Sequence, residues 1–390
     1  MANNQKIKEL LSRGVEEVID LKDLETKLLS GKPLRVKLGI DPTSPNIHLG
    51  RSIPLLKLRD FQELGHQIVF IIGDFTGTIG DTSDKNSERP MLDEKIIKAN
   101  IKNYIEQAGK VIDVSKCEVH YNSEWLAKLE YKEVCRQADI FSINEFISRD
   151  NIRRRLDAGS RVSLREVMYP MMQGYDSVMI KADVELGGTD QRFNLLAGRE
   201  MQRTYGQVPQ NIITNPLIEG LDGRKMSSSW GNTVNLFDSP LEMFGKIMSM
   251  QDEFIIKYFT LLTRVSVEEI NKYEELLKKG ANPRDYKILL AKEIVRFYHN
   301  EQMANEQEAN FIKVFSRKEM PAEIAELKPA SYDLVAVLIE SGLASSKSEA
   351  KRVIEQGGVK INQQVIKELD FIIPVGAILQ KGKLKFLKIN

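Results

Sequence analysis

The sequence predicts an α/β fold in which a domain built on a parallel β-sheet is followed by an α-helical domain and a small α+β domain. A strand, a turn-rich segment, a helix and a second strand follow one another within about 40 residues from position 35. From about residue 232 to 325, amphipathic helical patterns succeed each other with few strand signals between them. After Pro329, two helical patterns lead through a Gly–Gly turn into a short strand. These observations, with a length of 390 residues, predict two or three domains.

The first part of the chain shows the clearest pattern. Residues 7–29 carry apolar side chains at helical spacing and predict one or two helices. RVKLGI (35–40) and QIVFIIGD (67–74) predict two strands, separated by a helix that ends at Gly65. Such a unit implies a parallel sheet with a right-handed crossover, and ligands bind outside the carboxyl ends of its strands. Two loops have that position: DPTSPNIHLG at 41–50 and GDFTGTIGDTSDKNSERP at 73–90.

Composition excludes several classes of protein. An apolar fraction of 42% and a charged fraction of 28% are those of an ordinary soluble globular protein, and the net charge is only +1. Two cysteines exclude a disulfide framework, and the four histidines lack metal-ligand spacing, so we expect no protein-bound metal site. The N-terminus does not resemble a signal peptide, and the apolar run IVFII is too short to span a membrane. We therefore expect a cytoplasmic location and no membrane partner.

Neither common nucleotide-binding fingerprint, GxxxxGKS/T or GxGxxG, is present. The candidate phosphate site is PNIHLGR, which places His48 and Gly50 at the start of a helix. Free N–H groups and the positive end of the helix dipole attract phosphate there. In the second loop Asp81, Lys85 and Arg89 follow at intervals of four residues, which makes two cations available to close over phosphates. The alternatives are a plain turn with a surface histidine and a solvated run of charges.

Two further segments combine polar groups that are costly to bury without partners. In YPMMQGYD, Tyr169, Gln173 and Asp176 lie on one face of a predicted helix. They either satisfy each other in the core or bind a polar ligand. ELGGTDQRFN places Asp190 and Gln191 at the predicted end of a strand.

These segments together resemble a known family. PNIHLG and the downstream KMSSS are similar to the HIGH and KMSKS motifs of class I aminoacyl-tRNA synthetases. YPMMQGYD and LGGTDQRFN are similar to the tyrosyl/tryptophanyl branch, and specifically to bacterial tyrosyl-tRNA synthetases. The tail SGLASSKSEAKRVIEQGGVKIN resembles an S4-type RNA-binding module. The resemblance covers nearly the whole chain, with the motifs in the expected order.

The resemblance implies an organisation and a reaction. A Rossmann-like catalytic domain is expected at 1–231, an α-helical anticodon-binding domain at 232–328 and an S4-like RNA-binding domain at 329–390. The implied reaction uses ATP to convert tyrosine to tyrosyl-adenylate and pyrophosphate, then transfers tyrosine to the 3′ end of tRNA-Tyr. ATP would be a substrate accompanied by Mg²⁺. The expected partners are tyrosine, tRNA-Tyr and a second copy of the chain in a homodimer.

The resemblance also implies site residues, position by position. The expected ATP-binding residues are Gly39, Asp41, Thr43, His48, Gly50, Arg51, Lys225, Met226, Ser227 and Ser228. The residues expected to act in catalysis on the phosphates are Thr43, His48, Lys85, Arg89 and Lys225. The expected tyrosine-binding residues are Lys37, Asp81, Tyr169, Gln173, Asp176 and Gln191. Asp176 would accept the phenolic hydroxyl and would stay unpaired opposite phenylalanine, a discrimination for which tyrosyl enzymes are the standard example.

Positive charge is concentrated at the end of the chain. Residues 331–390 include nine basic and six acidic residues, a net charge of +3, which leaves −2 for the rest. A basic helix face beside a turn is suited to RNA phosphates, and a solvated helix face is the alternative. The expected RNA-binding residues are Lys347, Lys351, Arg352 and Lys360.

Three positions depart from the family pattern. Arg51 stands where HIGH ends in histidine and adds a cation near the ATP site. Lys37 stands where many tyrosyl enzymes place a tyrosine that reaches the substrate hydroxyl. Ser228 replaces the second lysine of KMSKS. By comparison with the removal of one oxyanion-hole donor, this would cost about 2–4 kcal/mol of transition-state stabilisation. The alternative functions are an RNA-binding paralogue without amino-acid activation, tryptophanyl specificity and a generic nucleotide-binding protein.

Overall fold

The computed structural model of the chain describes residues 2–83, 91–316, 324–344, 346–382 and 385–390. The chain divides into two compact units, Met1–Asn300 and Glu301–Asn390. Among the described residues, no helix combines the length and the apolar character needed to cross a membrane. The predicted domain boundaries after residues 231 and 328 stay predictions.

The first unit contains a six-stranded sheet with the strand order β1-β6-β5-β2-β3-β4. Its strands are parallel except β1, which pairs antiparallel with β6. β3 is apolar and buried along nearly its whole length, as expected for a parallel strand covered on both faces. The strands are β1 (Glu17–Ile19), β2 (Arg35–Ile40), β3 (Gln67–Ile72), β4 (Glu118–Tyr121), β5 (Val184–Gly188) and β6 (Asn211–Asn215).

Helices cover this sheet and continue beyond it. Those described in the first unit are α1 (Ala2–Ser12), α2 (Leu21–Leu29), α3 (Leu49–Glu63), α4 (Asp74–Ile79), α5 (Glu94–Ile101), α6 (Tyr104–Gly109), α7 (Ser123–Leu126), α8 (Tyr131–Ala138), α9 (Ile143–Ile147), α10 (Asp150–Asp157), α11 (Leu164–Ile180), α12 (Arg192–Thr204), α13 (Pro240–Ser249), α14 (Ile255–Leu262), α15 (Val267–Lys278) and α16 (Pro283–Tyr298). The succession of helices after residue 232 is thus confirmed.

The predicted strand–helix–strand unit is confirmed as β2, α3 and β3, with β2 and β3 paired in parallel. Gly65, just after α3, has a φ of +87°, which glycine adopts at low cost and which ends the helix. The expectation that 73–90 is a loop was wrong for its first part, because residues 74–79 form α4. The side-chain oxygen of Asn122 accepts the Phe75 N–H at 3.1 Å and so supports the start of α4. That contact spans 47 residues and has no local sequence signal.

The second unit is α+β, as predicted. Its strands follow the order β7-β11-β10-β8-β9. Its apolar core includes Val337, Leu338, Ile354 and Leu379. The predicted pair of helices followed by a strand is confirmed as α18, α19 and β8. The elements are α17 (Glu301–Ser316), β7 (Ala325–Leu327), α18 (Leu334–Glu340), α19 (Lys347–Glu355), β8 (Val359–Ile361), β9 (Gln364–Val365), β10 (Ile378–Lys381) and β11 (Lys385–Ile389).

Candidate active site

A cavity of about 830 Å³ opens at the carboxyl ends of the parallel strands of the first unit. It is bordered by the segments that follow β2, β3 and β5, by one face of α11, and by residues 225–230. The structure brings fifteen of the sequence-predicted site residues to its wall: Gly39, Asp41, Thr43, His48, Gly50, Arg51, Asp81, Tyr169, Gln173, Asp176, Gln191, Lys225, Met226, Ser227 and Ser228. Lys85 and Arg89 lie outside the described residues.

One end of the cavity is formed by the start of α3. His48 is the residue before the helix and is almost completely buried. Burial, together with the positive charges of Arg51 and Lys225, lowers the pKa of His48 to about 3, so its imidazole is neutral at pH 7. A Cβ on Gly50 would lie 3.1 Å from the His48 ring and 3.3 Å from Ile218. The glycine therefore allows the close approach of backbone and ring at this helix start.

Arg51 adds a positive charge to the same end. Its guanidinium donates to the Tyr104 hydroxyl at 2.9 Å and to Thr43 Oγ1 at 3.1 Å. The side chain is thus fixed by its neighbours while it lines the cavity. The cation that replaces the last histidine of HIGH is positioned beside the predicted phosphate contact Thr43.

The KMSSS segment lies beside the start of α3, where the Gly50 N–H is 3.3 Å from Met226 Sδ. Lys225 Nζ lies 2.9 Å from Asp190 Oδ2, so the cation meets the carboxylate that follows β5. Asn232 bridges KMSSS and the turn before it. Its Oδ1 accepts the Ser227 N–H at 2.8 Å, and its Nδ2 donates to Asp222 Oδ1 at 2.7 Å. Ser228 lies on the exposed face, with its hydroxyl 3.5 Å from that of Ser44.

Asp176 supplies a buried carboxylate deep in the cavity, where its side chain is shielded from solvent. The Trp125 indole N–H donates to its Oδ1 at 2.8 Å, and Asn122 Nδ2 donates to its Oδ2 at 3.3 Å. Burial raises the pKa of Asp176 to about 7, although the charge of Lys37 and these two hydrogen bonds act in the opposite direction. A group that donates a hydrogen bond to this carboxylate would favour its ionised form.

Asp41 and Tyr169 contact each other across the cavity. The Tyr169 hydroxyl donates to Asp41 Oδ2 at 2.8 Å, and Thr76 Oγ1 donates to Oδ1 at 2.7 Å. Burial raises the pKa of Asp41 to about 6 against the effect of these hydrogen bonds. A second polar pair lies nearby, where Gln191 Nε2 donates to Asp81 Oδ2 at 2.6 Å.

Lys37 is the described member of the predicted tyrosine site that the structure does not bring to the cavity wall. Its side chain has no exposed surface and its Nζ lies 2.8 Å from Glu185 Oε1. The reason is strand register: Lys37 on β2 is the direct partner of Glu185 on β5, and both side chains are enclosed below the cavity. A direct contact between Lys37 and the ligand is therefore not supported.

Comparison with known proteins agrees with this geometry. Residues 29–316 match the family described as tRNA synthetases class I (W and Y), and residues 334–379 match the S4 domain. The chain belongs to the class I tRNA synthetases. A tyrosine–tRNA ligase of Thermotoga maritima is 45% identical to this class I synthetase over 100% of the chain and 98% of that protein.

Solved structures share the fold. A C-terminally truncated mitochondrial tyrosyl-tRNA synthetase of Aspergillus nidulans has a TM-score of 0.67 at 23% identity, covering 80% of this synthetase and 98% of that chain. A tyrosyl-tRNA synthetase of Archaeoglobus fulgidus, complexed with L-tyrosine, has a TM-score of 0.63 at 26% identity. It covers 78% of this synthetase and 99% of that chain.

Sequence reasoning missed residues that support the synthetase site, among them Asn122, Trp125 and Asn232. Asn122 and Trp125 follow β4, another parallel strand whose carboxyl end faces the cavity. Recognition of EVHY as a strand would have drawn attention to them, because the same rule had selected the segments after β2 and β3. Asn232 had no signal of its own beyond its closeness to KMSSS.

The predicted RNA-binding residues lie in the second unit. Lys347, Lys351 and Arg352 are exposed on α19, and Lys360 is partly exposed on β8. Ser346 accepts the Glu349 N–H and begins the helix, so the basic residues stand on a regular capped element. All four lie within residues 334–379, the segment that matches the S4 domain, here called the S4 unit.

Proposed function

We propose that this class I synthetase is a tyrosine–tRNA ligase. In the first step the tyrosine carboxylate attacks the α-phosphorus of ATP, and the bond from that phosphorus to the pyrophosphate oxygen breaks. In the second step the terminal ribose hydroxyl of tRNA-Tyr attacks the carbonyl of tyrosyl-adenylate and AMP leaves. The curated relatives, at high coverage and about 45% identity, carry this function and not the alternatives.

The observation that carries the proposal is the buried carboxylate of Asp176. Its indole and amide donors, Trp125 and Asn122, hold both oxygens in place within the cavity. We assign Asp176 as acceptor for the phenolic O–H, because a polar site of this kind rejects a ligand without the hydroxyl. Phenylalanine would leave the carboxylate desolvated and unpaired, which is costly. Tryptophan also carries a donor, its indole N–H, so the case against tryptophan rests on the relatives and not on Asp176.

We place the ammonium group of tyrosine among a second set of polar groups that line the cavity, away from the Asp176 carboxylate that accepts the phenol. Asp81 offers negative charge, and Tyr169, Gln173 and Gln191 offer oxygen atoms; all four line the cavity. Asp41 contacts Tyr169 directly, so it supports this region as well as the predicted ATP site. Lys37 takes no part in direct binding in this proposal.

We place ATP against the start of α3 and the KMSSS segment. The residues proposed to contact it are Gly39, Asp41, Thr43, His48, Gly50, Arg51, Lys225, Met226, Ser227 and Ser228. The proposed catalytic groups are Thr43, His48, Lys225 and the predicted Lys85 and Arg89. They act by holding the reactants in line and by stabilising negative charge on the leaving pyrophosphate.

In this proposal Mg²⁺ arrives with the phosphates of ATP. Among the described residues, no group of three or more His, Cys, Asp or Glu side chains could hold a metal ion. The Mg²⁺ would neutralise phosphate charge when bound. Arg51 and Lys225 supply the fixed positive charge at that end.

The S4 unit and its predicted RNA-binding residues are proposed to bind tRNA-Tyr through backbone phosphates. A homodimer and a cytoplasmic location, where tRNA and ATP meet, complete the proposal.

Tyrosine-dependent ATP–pyrophosphate exchange tests the activation step. Tyrosine, phenylalanine and tryptophan are compared at equal concentrations, and Asp176→Asn serves as the site variant. Exchange with tyrosine that is strongly reduced in Asp176→Asn is the expected result. The proposal fails if folded protein exchanges with none of the three, or prefers tryptophan or phenylalanine.

A further inference from the structure

A buried ion pair lies directly below the candidate tyrosine pocket. Lys37 and Glu185 are register partners on β2 and β5, and the exposed fractions of their side chains are 0% and 1%. The Lys37 ammonium makes three short contacts, to Glu185 Oε1 at 2.8 Å, Ser177 Oγ at 2.7 Å and the Gln173 carbonyl at 2.9 Å. Such a pair is costly to bury unless its geometry is good and its remaining groups are hydrogen-bonded.

Glu185 is equally well satisfied. Its Oε2 accepts hydrogen bonds from Ser177 at 3.0 Å and from Gln210, while its Oε1 lies 3.3 Å from Gln173 Nε2. The network therefore reaches Gln173 twice, through the carbonyl that Lys37 contacts and through the side-chain amide that Glu185 contacts. Asn194 Nδ2 completes the arrangement by donating to Gln173 Oε1 at 3.0 Å.

The same pair packs against the turn of α11 that carries Asp176, because Lys37 Nζ contacts Gln173 and Ser177 on either side of it. The titratable groups that interact electrostatically with Asp176 include Lys37 on β2, Glu185 on β5 and Tyr169 on α11. The charge of Lys37 lowers the pKa of Asp176, and that of Glu185 raises it by a smaller amount. The cation therefore favours an ionised Asp176, and the carboxylate moderates that effect.

We propose that Lys37 and Glu185 are positioning residues, which fix Gln173 from below and balance the charge of Asp176, and thereby set the selectivity for tyrosine over phenylalanine. The inference rests on the proposed function, because it assigns the phenol to Asp176. Neither residue touches the ligand; both act through groups that line the cavity. Lys37, which departs from the tyrosyl pattern, thus positions residues that bind tyrosine and does not contact tyrosine itself.

A purely structural ion pair and a charge-balancing pair make different predictions for pH dependence. The midpoint here is the pH at which kcat/KM for tyrosine reaches half of its maximum. If the pair only held the fold together, Lys37→Met and Glu185→Gln would weaken tyrosine activation alike and leave this midpoint as it is in the unaltered chain. If the pair balances Asp176, Lys37→Met raises that midpoint and Glu185→Gln lowers it, because the two charges act on the carboxylate with opposite sign.

The experiment is pyrophosphate exchange by the full chain, with kcat/KM for tyrosine and for phenylalanine measured between about pH 6 and pH 9, across the range where a carboxyl so perturbed titrates. Lys37→Met, Glu185→Gln and the double variant are compared with Lys57→Met. Lys57 is also a buried, ion-paired lysine, but its Nζ contacts Asp60 and the Leu10 carbonyl, and neither residue lines the cavity. The double variant leaves no unpaired charge in the core and keeps the test usable if Lys37→Met folds poorly.

We expect Lys37→Met to raise the midpoint by about one pH unit and to raise KM for tyrosine about 10-fold or more. The double variant is expected to raise both by less, because it also removes the opposing charge of Glu185. Glu185→Gln is expected to lower the midpoint, and Lys57→Met to leave it in place. Coincident midpoints for the Lys37 and Glu185 variants would overturn the inference while the ligase assignment stands. Absence of tyrosine exchange in the unaltered chain would overturn both.

Discussion

The hydrogen bond from Trp125 to Asp176 gives the sharpest prediction about specificity. The indole nitrogen lies 2.8 Å from Oδ1 of a fully enclosed carboxylate. Trp125→Phe removes this donor and keeps an aromatic ring among Val69, Ile71 and Ile180, which belong to the same apolar cluster. The ionised form of Asp176 thereby loses one of its two donors.

The size of the effect follows from the energy of that bond. A hydrogen bond to a charged group contributes about 1.5–3 kcal/mol, so its loss raises the midpoint by about one to two pH units. Asp176 has a pKa of about 7, so about half of it is ionised at pH 7 in the unaltered chain. Once the pKa of Asp176 is raised in Trp125→Phe, only about one-tenth to one-hundredth of the carboxylate is ionised at pH 7. This lowers kcat/KM for tyrosine about 5- to 50-fold.

The sign also follows from the structure. The pKa of Asp176 is raised, so its carboxylate is lost as pH falls through about 7. Tyrosine binding uses the carboxylate as acceptor, whereas phenylalanine meets a smaller penalty when the group is protonated. The preference for tyrosine should therefore weaken below pH 7 in the unaltered chain, and at a higher pH in Trp125→Phe.

The assay is pyrophosphate exchange with tyrosine and phenylalanine across this pH range. Leu126→Ala is the matched control, because Leu126 belongs to the same apolar cluster and makes no hydrogen bond to Asp176. It is expected to lower the free energy of unfolding by about 2–5 kcal/mol and to leave the midpoint unchanged. Identical pH profiles for Trp125→Phe and the unaltered chain would refute the reasoning.

Three more predictions follow from other parts of the molecule. Ser228→Lys restores the second cation of the loop and should raise kcat for exchange by about tenfold or more, whereas an unchanged kcat would show that the present charge suffices. Gly73→Ala would place a Cβ 2.0 Å from Asp41 Oδ1, so a lower Tm and weaker tyrosine activation are expected in thermal unfolding and exchange assays. Lys351→Glu combined with Arg352→Glu should slow tRNA charging and make charging less dependent on salt, but leave pyrophosphate exchange unchanged. An equal loss of charging and exchange would contradict a role confined to RNA binding.

The parts of the fold that could be predicted from the sequence are those that carry a short-range sequence pattern. β2, α3 and β3 were recognisable because each carries its own periodicity and Gly65 marks the helix end. α4 was missed because it is only six residues long, and one of the two acceptors of its Phe75 N–H, Asn122, is distant in sequence. The antiparallel pairing of β1 with β6 likewise joins residues about 200 positions apart. Pairing over such distances leaves no short-range pattern.

The candidate site was predictable where a short motif carries it. The motifs placed fifteen described residues that the fold then gathers around one cavity. Lys37 is a residue that motifs alone placed wrongly. Its position in the strand suggested a ligand contact, but strand register pairs it with Glu185, and the two form an ion pair in the core. Trp125 lies in a segment without a motif, so its contact with Asp176 was visible only in three dimensions.

The most direct test of the central claim is charging of unfractionated bacterial tRNA by the full chain, with the esterified amino acid identified afterwards. Tyrosine, phenylalanine and tryptophan are supplied together with ATP and Mg²⁺. The account predicts that tyrosine alone is attached, and that Asp176→Asn reduces its attachment. Attachment of phenylalanine or tryptophan at a comparable rate, or tRNA binding without any attachment, would contradict it.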